Sequence, residues 1–267
     1  MMKNLSLISG LVILLFAFSC ERKTEWDLQQ GAEFLVADCI ITNELRNHEL
    51  RLYWSADGLN QTPVGFTGAT IALNDGLHSF AFLEDMDDPG RYVSADPFMA
   101  SAGKTYRLTL NYNGYSDTAF ATMTGVSPLE PAEIIASDGY FLLINHESTP
   151  ASMTEVNYNW SADAQYCEQY GACMAAEVFY SLENIDIGKE FAPEKQVILF
   201  PHHTEIIRRK YSLSEDHQRF IRSLLLETEW RGGYFDVEQG NVPTNFSHGV
   251  RGWFAVCAVV TDTTYFE

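Results

Sequence analysis

From Glu33 to about Met123, apolar and polar residues alternate in short runs that turn-forming residues interrupt. The clearest run is Thr105-Tyr106-Arg107-Leu108-Thr109-Leu110-Asn111-Tyr112, which puts Tyr106, Leu108, Leu110 and Tyr112 on one face and polar side chains on the other. Strict period-two alternation is what a strand covered on one side requires. The same grammar predicts strands over 34–42, 49–54, 69–73, 79–83 and 118–123, and Asn74-Asp75-Gly76 supplies a hairpin turn between two of them. Short strands at this spacing read as an Ig-like or transthyretin-like antiparallel β-sandwich over residues 33–125.

Val126-Ser127-Pro128-Leu129-Glu130-Pro131 breaks the pattern, since two prolines forbid helix and interrupt ladder pairing, and it reads as a linker. Strand patterning then resumes: Val156, Tyr158 and Trp160 alternate with Asn157 and Asn159, and further strands are predicted over 176–182 and 196–200. One segment changes period. Ser212 and Glu215 fit a capping box, and Leu213, His217, Phe220, Ile221, Leu224, Leu225 and Thr228 then share a helical stripe. Gly232-Gly233 would end it, giving one amphipathic helix at about 213–229. The fold class is mainly β, with a second β-rich domain over 126–267 that carries this helix.

The amino end follows another logic. Lys3 precedes the unbroken apolar run from Leu11 to Phe18, which stops at Ser19-Cys20 before polar Glu21-Arg22-Lys23-Thr24-Glu25. This is the build of a secretory signal over residues 1–19, with an apolar core too short to span a bilayer. Ala17-Phe18-Ser19-Cys20 resembles a relaxed bacterial lipobox, so Cys20 is the expected lipidation site and 20–32 a spacer. The expected membrane contact is therefore a lipid anchor, because each buried acyl methylene contributes about 0.8 kcal/mol.

Hydrophobic content of 46% suits a packed protein and argues against a disordered one. A net charge of −19 repels phosphate backbones, which argues against nucleic acid as a partner. Beyond Cys20 there are four cysteines, and four allow three connectivities. Cys167 and Cys173 bracket a polar loop in which Gly171 permits a tight return, so a local disulfide is expected there in an oxidising compartment. Cys39 and Cys257 sit within apolar runs and read as small buried hydrophobes.

Candidate chemistry is sparse. Glu84-Asp85-Met86-Asp87-Asp88 offers Asp85, Asp87 and Asp88 as a weak calcium candidate, but it lacks an EF-hand's glycine and closing glutamate, so a solvated hairpin tip is the plainer reading. Adjacent His202 and His203 on a strand would face opposite ways and share no metal readily. Arg208-Arg209-Lys210 reads as a solvated turn ahead of the helix. Trp54, Tyr92, Tyr112, Tyr158, Trp160 and Trp253 fit sheet packing, with a sugar-stacking platform as the alternative. The sequence contains no GxSxG elbow, HExxH, Walker A or strand-linked GxGxxG, so no catalytic residue and no cofactor is assigned.

Several elements together resemble an uncharacterised family of Bacteroidota outer-membrane lipoproteins often encoded beside TonB-dependent receptors. They are Leu35-Val36-Ala37-Asp38-Cys39-Ile40-Ile41-Thr42, Gly68-Ala69-Thr70-Ile71-Ala72-Leu73, Pro89-Gly90-Arg91-Tyr92 and Gly103-Lys104-Thr105-Tyr106-Arg107-Leu108, then Tyr234-Phe235-Asp236, Val242-Pro243-Thr244-Asn245-Phe246 and Gly252-Trp253-Phe254. The resemblance implies an outer-membrane, lipid-anchored envelope protein with a TonB-dependent receptor as a possible partner, and transfers no catalytic residue. The function expected is a non-enzymatic binding or accessory module for nutrient uptake; the alternative is a surface carbohydrate-binding or glycoside-hydrolysing lipoprotein with an interdomain cleft. The ligand, and the face of the membrane the body occupies, are open at this stage.

Overall fold

The computed structural model describes residues 33–56, 61–146, 149–183, 190, 192–193, 197–230 and 242–267. The leader, Cys20, the spacer, Gly232-Gly233 and Tyr234-Phe235-Asp236 lie outside the described residues. The chain is mainly β, as its patterning requires. Strands β1 (Leu35–Thr42), β2 (Glu49–Trp54), β3 (Thr70–Asn74), β4 (Ser79–Glu84), β5 (Arg91–Ser94), β6 (Thr105–Tyr112) and β7 (Tyr115–Thr122) pair with β13 (Arg251–Cys257) in an eight-stranded sheet of order β13-β1-β2-β5-β4-β3-β6-β7. Every pairing is antiparallel except β1 with β13.

This sheet curls until its edges nearly meet. Asn245 Nδ2 donates to the carbonyls of Phe254 (2.7 Å) and Phe120 (3.3 Å), and the Ser247 N–H donates to Thr118 O at 2.9 Å. The inward residues Leu50, Leu52, Ile71, Leu73, Leu108 and Leu110 fill the space enclosed. Each such buried side chain contributes about 1.5–3 kcal/mol.

A four-stranded sheet of order β11-β10-β12-β14 is built from β10 (Ser152–Asn159), β11 (Met174–Ser181), β12 (Thr204–Ser212) and β14 (Val259–Phe266). A hairpin of β8 (Glu133–Ser137) and β9 (Tyr140–Ile144) stands beside it. Helix α1 (Ala164–Tyr170) is capped by Asp163 and ends at Gly171, whose φ of +80° is readily reached only by glycine. The disulfide between Cys167 and Cys173 closes over that end.

Helix α2 (Glu215–Glu227) corrects the capping detail. Its N-cap is Ser214, whose hydroxyl accepts from the His217 N–H, while Ser212 ends β12 and accepts from the Ala258 N–H at 2.9 Å. Two serines two residues apart made either cap plausible, and the strand claimed the first. His217, Ile221, Leu225 and Leu226 form the buried face of α2, packed against Met153, Tyr211, Trp253, Ala255 and Cys257.

β13 is therefore buried on both sides: Phe254 and Val256 enter the first core, while Trp253, Ala255 and Cys257 enter the second. A parallel strand covered on both faces reads as a continuous apolar run, as Trp253 to Cys257 does. Residues 33–267 form one compact unit, and the stretch assigned from sequence to a second domain returns through β13 to complete the first sheet. Arg208-Arg209-Lys210 is not a solvated turn. It lies within β12, with Arg208 and Lys210 buried.

Candidate functional site

Alternation along β1 sends Leu35, Ala37, Cys39 and Ile41 into the first core and leaves Val36, Asp38 and Ile40 on the outer face. That face, with Arg251 to Trp253 of β13, floors a cleft of about 570 Å3. Phe220, Ile221 and Leu224 of α2 wall one side, Met153 and Tyr180 another, and Phe34 and Pro243 stand at its rim. The floor is possible because residue 252 is glycine. Gly252 has φ +89°, and a Cβ there would sit 2.1 Å from Ala37 O, so any side chain would force β1 and β13 apart.

At Asp38 and Ile40 this cleft meets a polar recess of about 230 Å3 lined by Arg46, His48, Glu49, Arg51, Glu155, Arg209 and Tyr211. Charges there are tied together. Arg209 Nη2 meets Glu44 Oε2 at 2.5 Å, its guanidinium lies 5.5 Å over the Tyr211 ring, and Tyr211 OH donates to Glu155 Oε2 at 2.7 Å. Burial and the Glu155 carboxylate push the Tyr211 phenol up. Arg91 Nε donates to Glu49 Oε2 at 2.6 Å, and that bond holds the Glu49 carboxyl below its usual range.

Asp38 differs from its neighbours. It is open to solvent, yet protein crowds it on enough sides that burial raises its pKa, and its charge adds to the burial that raises that of Tyr53. A carboxylate that is accessible and still partly desolvated marks the floor of a concavity. Nothing about its type or spacing had singled it out. The available signal was a lone charge on the outward face of an otherwise apolar strand.

Beneath the cleft, Cys257 Sγ lies 4.0 Å from His217 Nδ1. Burial pushes the thiol up to about 12 and the imidazole down to about 4. At neutral pH both groups are uncharged, the opposite of the thiolate–imidazolium pair that makes a cysteine nucleophilic. His217 stacks on Trp253 at 6.0 Å and Trp253 on Phe220 at 4.8 Å, so this histidine belongs to a packed aromatic column.

The other candidates disperse. Asp85 Oδ2 accepts from Arg91 Nη1 at 2.6 Å, and Asp88 Oδ1 accepts from Arg51 Nη1 at 2.9 Å. The Asp87 N–H caps the remaining Asp85 oxygen at 3.0 Å. The calcium candidate of Asp85, Asp87 and Asp88 is thus a turn stapled by two guanidinium groups. Among the described residues no group of three or more His, Cys, Asp or Glu side chains is arranged to hold a metal ion. His202 is bonded to Glu267 O at 2.7 Å, its ring 6.4 Å from that of His203. Tyr92, Tyr158 and Trp160 are fully buried and offer no stacking platform.

A family model described as Domain of unknown function (DUF4249) matches residues 21–263. The chain belongs to this family. DUF4249 is thus represented here by a mainly β body with a cleft that crosses the outer face of β1. Among solved structures the chain is similar to the crystal structure of chicken CNTN1 FN1-FN3 domains, at 9% identity and a TM-score of 0.28, covering 67% of this chain and 60% of that one. The chain thus spans less than two thirds of that structure's length. No curated protein matches it.

Proposed function

We propose that this DUF4249 protein is a lipid-anchored component of the cell envelope, acylated on Cys20, that works as a non-catalytic binding module at the outer membrane in nutrient uptake. The observation that carries the binding role is the cleft over β1, whose volume falls in the range of ligand sites and whose walls are apolar with one open carboxylate, Asp38. The inert protonation of Cys257 and His217 supports binding over catalysis. The lipid anchor rests on the sequence around Cys20. Among the described residues no helix is long and apolar enough to cross a membrane.

The partner proposed is a TonB-dependent receptor, on the strength of the family resemblance. Carbohydrate binding or glycoside hydrolysis is the second reading, favoured by Asp38 and Glu155 lining one recess. It is the weaker one, because Glu155 is tied to Tyr211 and Trp253 spends a ring face on Phe220.

Two experiments test the proposal. Cys20→Ala should abolish metabolic labelling by a clickable fatty acid and release the protein from membrane fractions; unchanged labelling removes the anchor from the account. A photo-crosslinker at Leu224, on the cleft wall, should trap an outer-membrane receptor that one at Tyr265, exposed on β14, does not. Equal yields from both positions, or none from Leu224, would refute the cleft as the contact.

A further inference from the structure

Three consecutive basic residues run along β12, and alternation sends them to opposite faces. Arg209 turns toward the polar recess, where Glu44 neutralises it. Arg208 and Lys210 turn the other way, are only 7% and 4% exposed, and line a separate recess of about 50 Å3. Its remaining walls come from Leu129 to Pro131, the end of β9 near His146, and Thr154 of β10.

Taking two cations out of water costs several kcal/mol each unless charge and hydrogen bonds are returned to them. Here the return is incomplete. Arg208 Nη2 donates to Asp262 Oδ2 at 2.6 Å, but its buried Nε donates to nothing among the described residues. Lys210 Nζ donates to Ser127 Oγ at 2.7 Å and to Pro128 O at 3.3 Å, both neutral acceptors. No carboxylate among the described residues reaches salt-bridge distance of it. Glu130 at the recess favours the ammonium, yet burial outweighs that influence and lowers the Lys210 pKa. Two nearly buried cations thus line the same small recess, one with an unpartnered donor and the other with only neutral acceptors.

A single water needs about 10–15 Å3 of such space, so the recess admits a group of roughly four or five heavy atoms and nothing much larger. Side chains at i and i+2 of a strand stand about 7 Å apart, a span that one oxyanion bridges by presenting different oxygens to each. We infer that the recess between Arg208 and Lys210 is a binding site for a small oxyanion, a carboxylate or a tetrahedral phosphate or sulfate, which ties the 126–131 strap to the second sheet. The acidic exterior disfavours bulky polyanions, while a small ion gains the low-dielectric attraction of both cations.

The test uses the intact chain in detergent, titrated with sodium phosphate, sodium sulfate and sodium acetate against sodium chloride at equal ionic strength. Calorimetry should find one saturable site for at least one of the oxyanions, with a matching rise in Tm as binding to the folded state demands. Phosphate or sulfate alone assigns a tetrahedral ligand and acetate alone a carboxylate. Lys210→Met should weaken that binding about tenfold or more, Lys210→Arg should retain it, and Arg107→Gln, on an exposed strand position of the first sheet, should leave it unchanged. If no oxyanion differs from chloride with the native chain, the site does not exist, whatever the variants do. Undiminished binding by folded Lys210→Met would overturn the assignment equally.

Discussion

Asp117 and Asp38 both sit on the eight-stranded sheet, and the seam around one and the cleft around the other treat the same side chain in opposite ways. Asp117 is fully buried where β7 meets the segment before β13. Its carboxylate accepts from Tyr112 OH (2.8 Å), the N–H groups of His248 (2.6 Å) and Gly249 (3.2 Å), and Ser247 OH (3.2 Å). Burial alone would raise its pKa, but these four donors outweigh it and the net shift is downward. Asp38 has the solvent Asp117 lacks and none of its donors, and its pKa moves up. A carboxylate with every lone pair engaged is structural glue; one left crowded and open is available to something else.

The sharpest way to break both regions at once is Gly252→Ala. A Cβ 2.1 Å from Ala37 O in a left-handed backbone should cost more than about 3 kcal/mol, read as a lower urea midpoint at unchanged slope. Asp117→Ala should follow, at about 3 kcal/mol, since it strands several buried donors. Serine at both Cys167 and Cys173 should cost about 2 kcal/mol through the short loop they close. Asp38→Asn should change stability by no more than about 0.5 kcal/mol while altering what the cleft binds. A large loss there would mean that the carboxylate is structural too, and the contrast would fall.

Acid separates the two carboxylates by sign. With its folded pKa depressed, Asp117 contributes stability that is complete above the unfolded value and disappears as pH falls through the lower folded one. Asp38, raised in the fold, binds its proton more tightly when folded, so acidification through its folded pKa favours the native state. Urea midpoints of Asp117→Asn and Asp38→Asn between pH 3 and 7 should therefore converge on the native chain from opposite sides as pH falls.

Strands whose alternation is local were legible in the sequence. Thr105–Tyr112 and Glu49–Trp54 appear with the expected ends, because one face of each meets a core and the other meets water. What depends on distant partners was not. Nothing near Arg251 says that it pairs with Val36, and the burial of Arg208 and Lys210 on one face of β12 is set by distant elements that their own neighbourhood does not show. Asp138-Gly139 between β8 and β9 is a hairpin signal that passed unused. The cleft was illegible for the same reason as β13: its walls come from β1, α2 and β11, and only tertiary packing brings them together.

The parallel pairing of β1 with β13 also sets an order of events. Val36 and Arg251 are neighbours in space, but a ribosome makes one long before the other. Until then the β1 edge presents unpaired backbone groups, and the first sheet cannot finish on its own. Completion of the native body therefore waits until β13 has been made, more than two hundred residues after β1, a reason to expect slow, late closure.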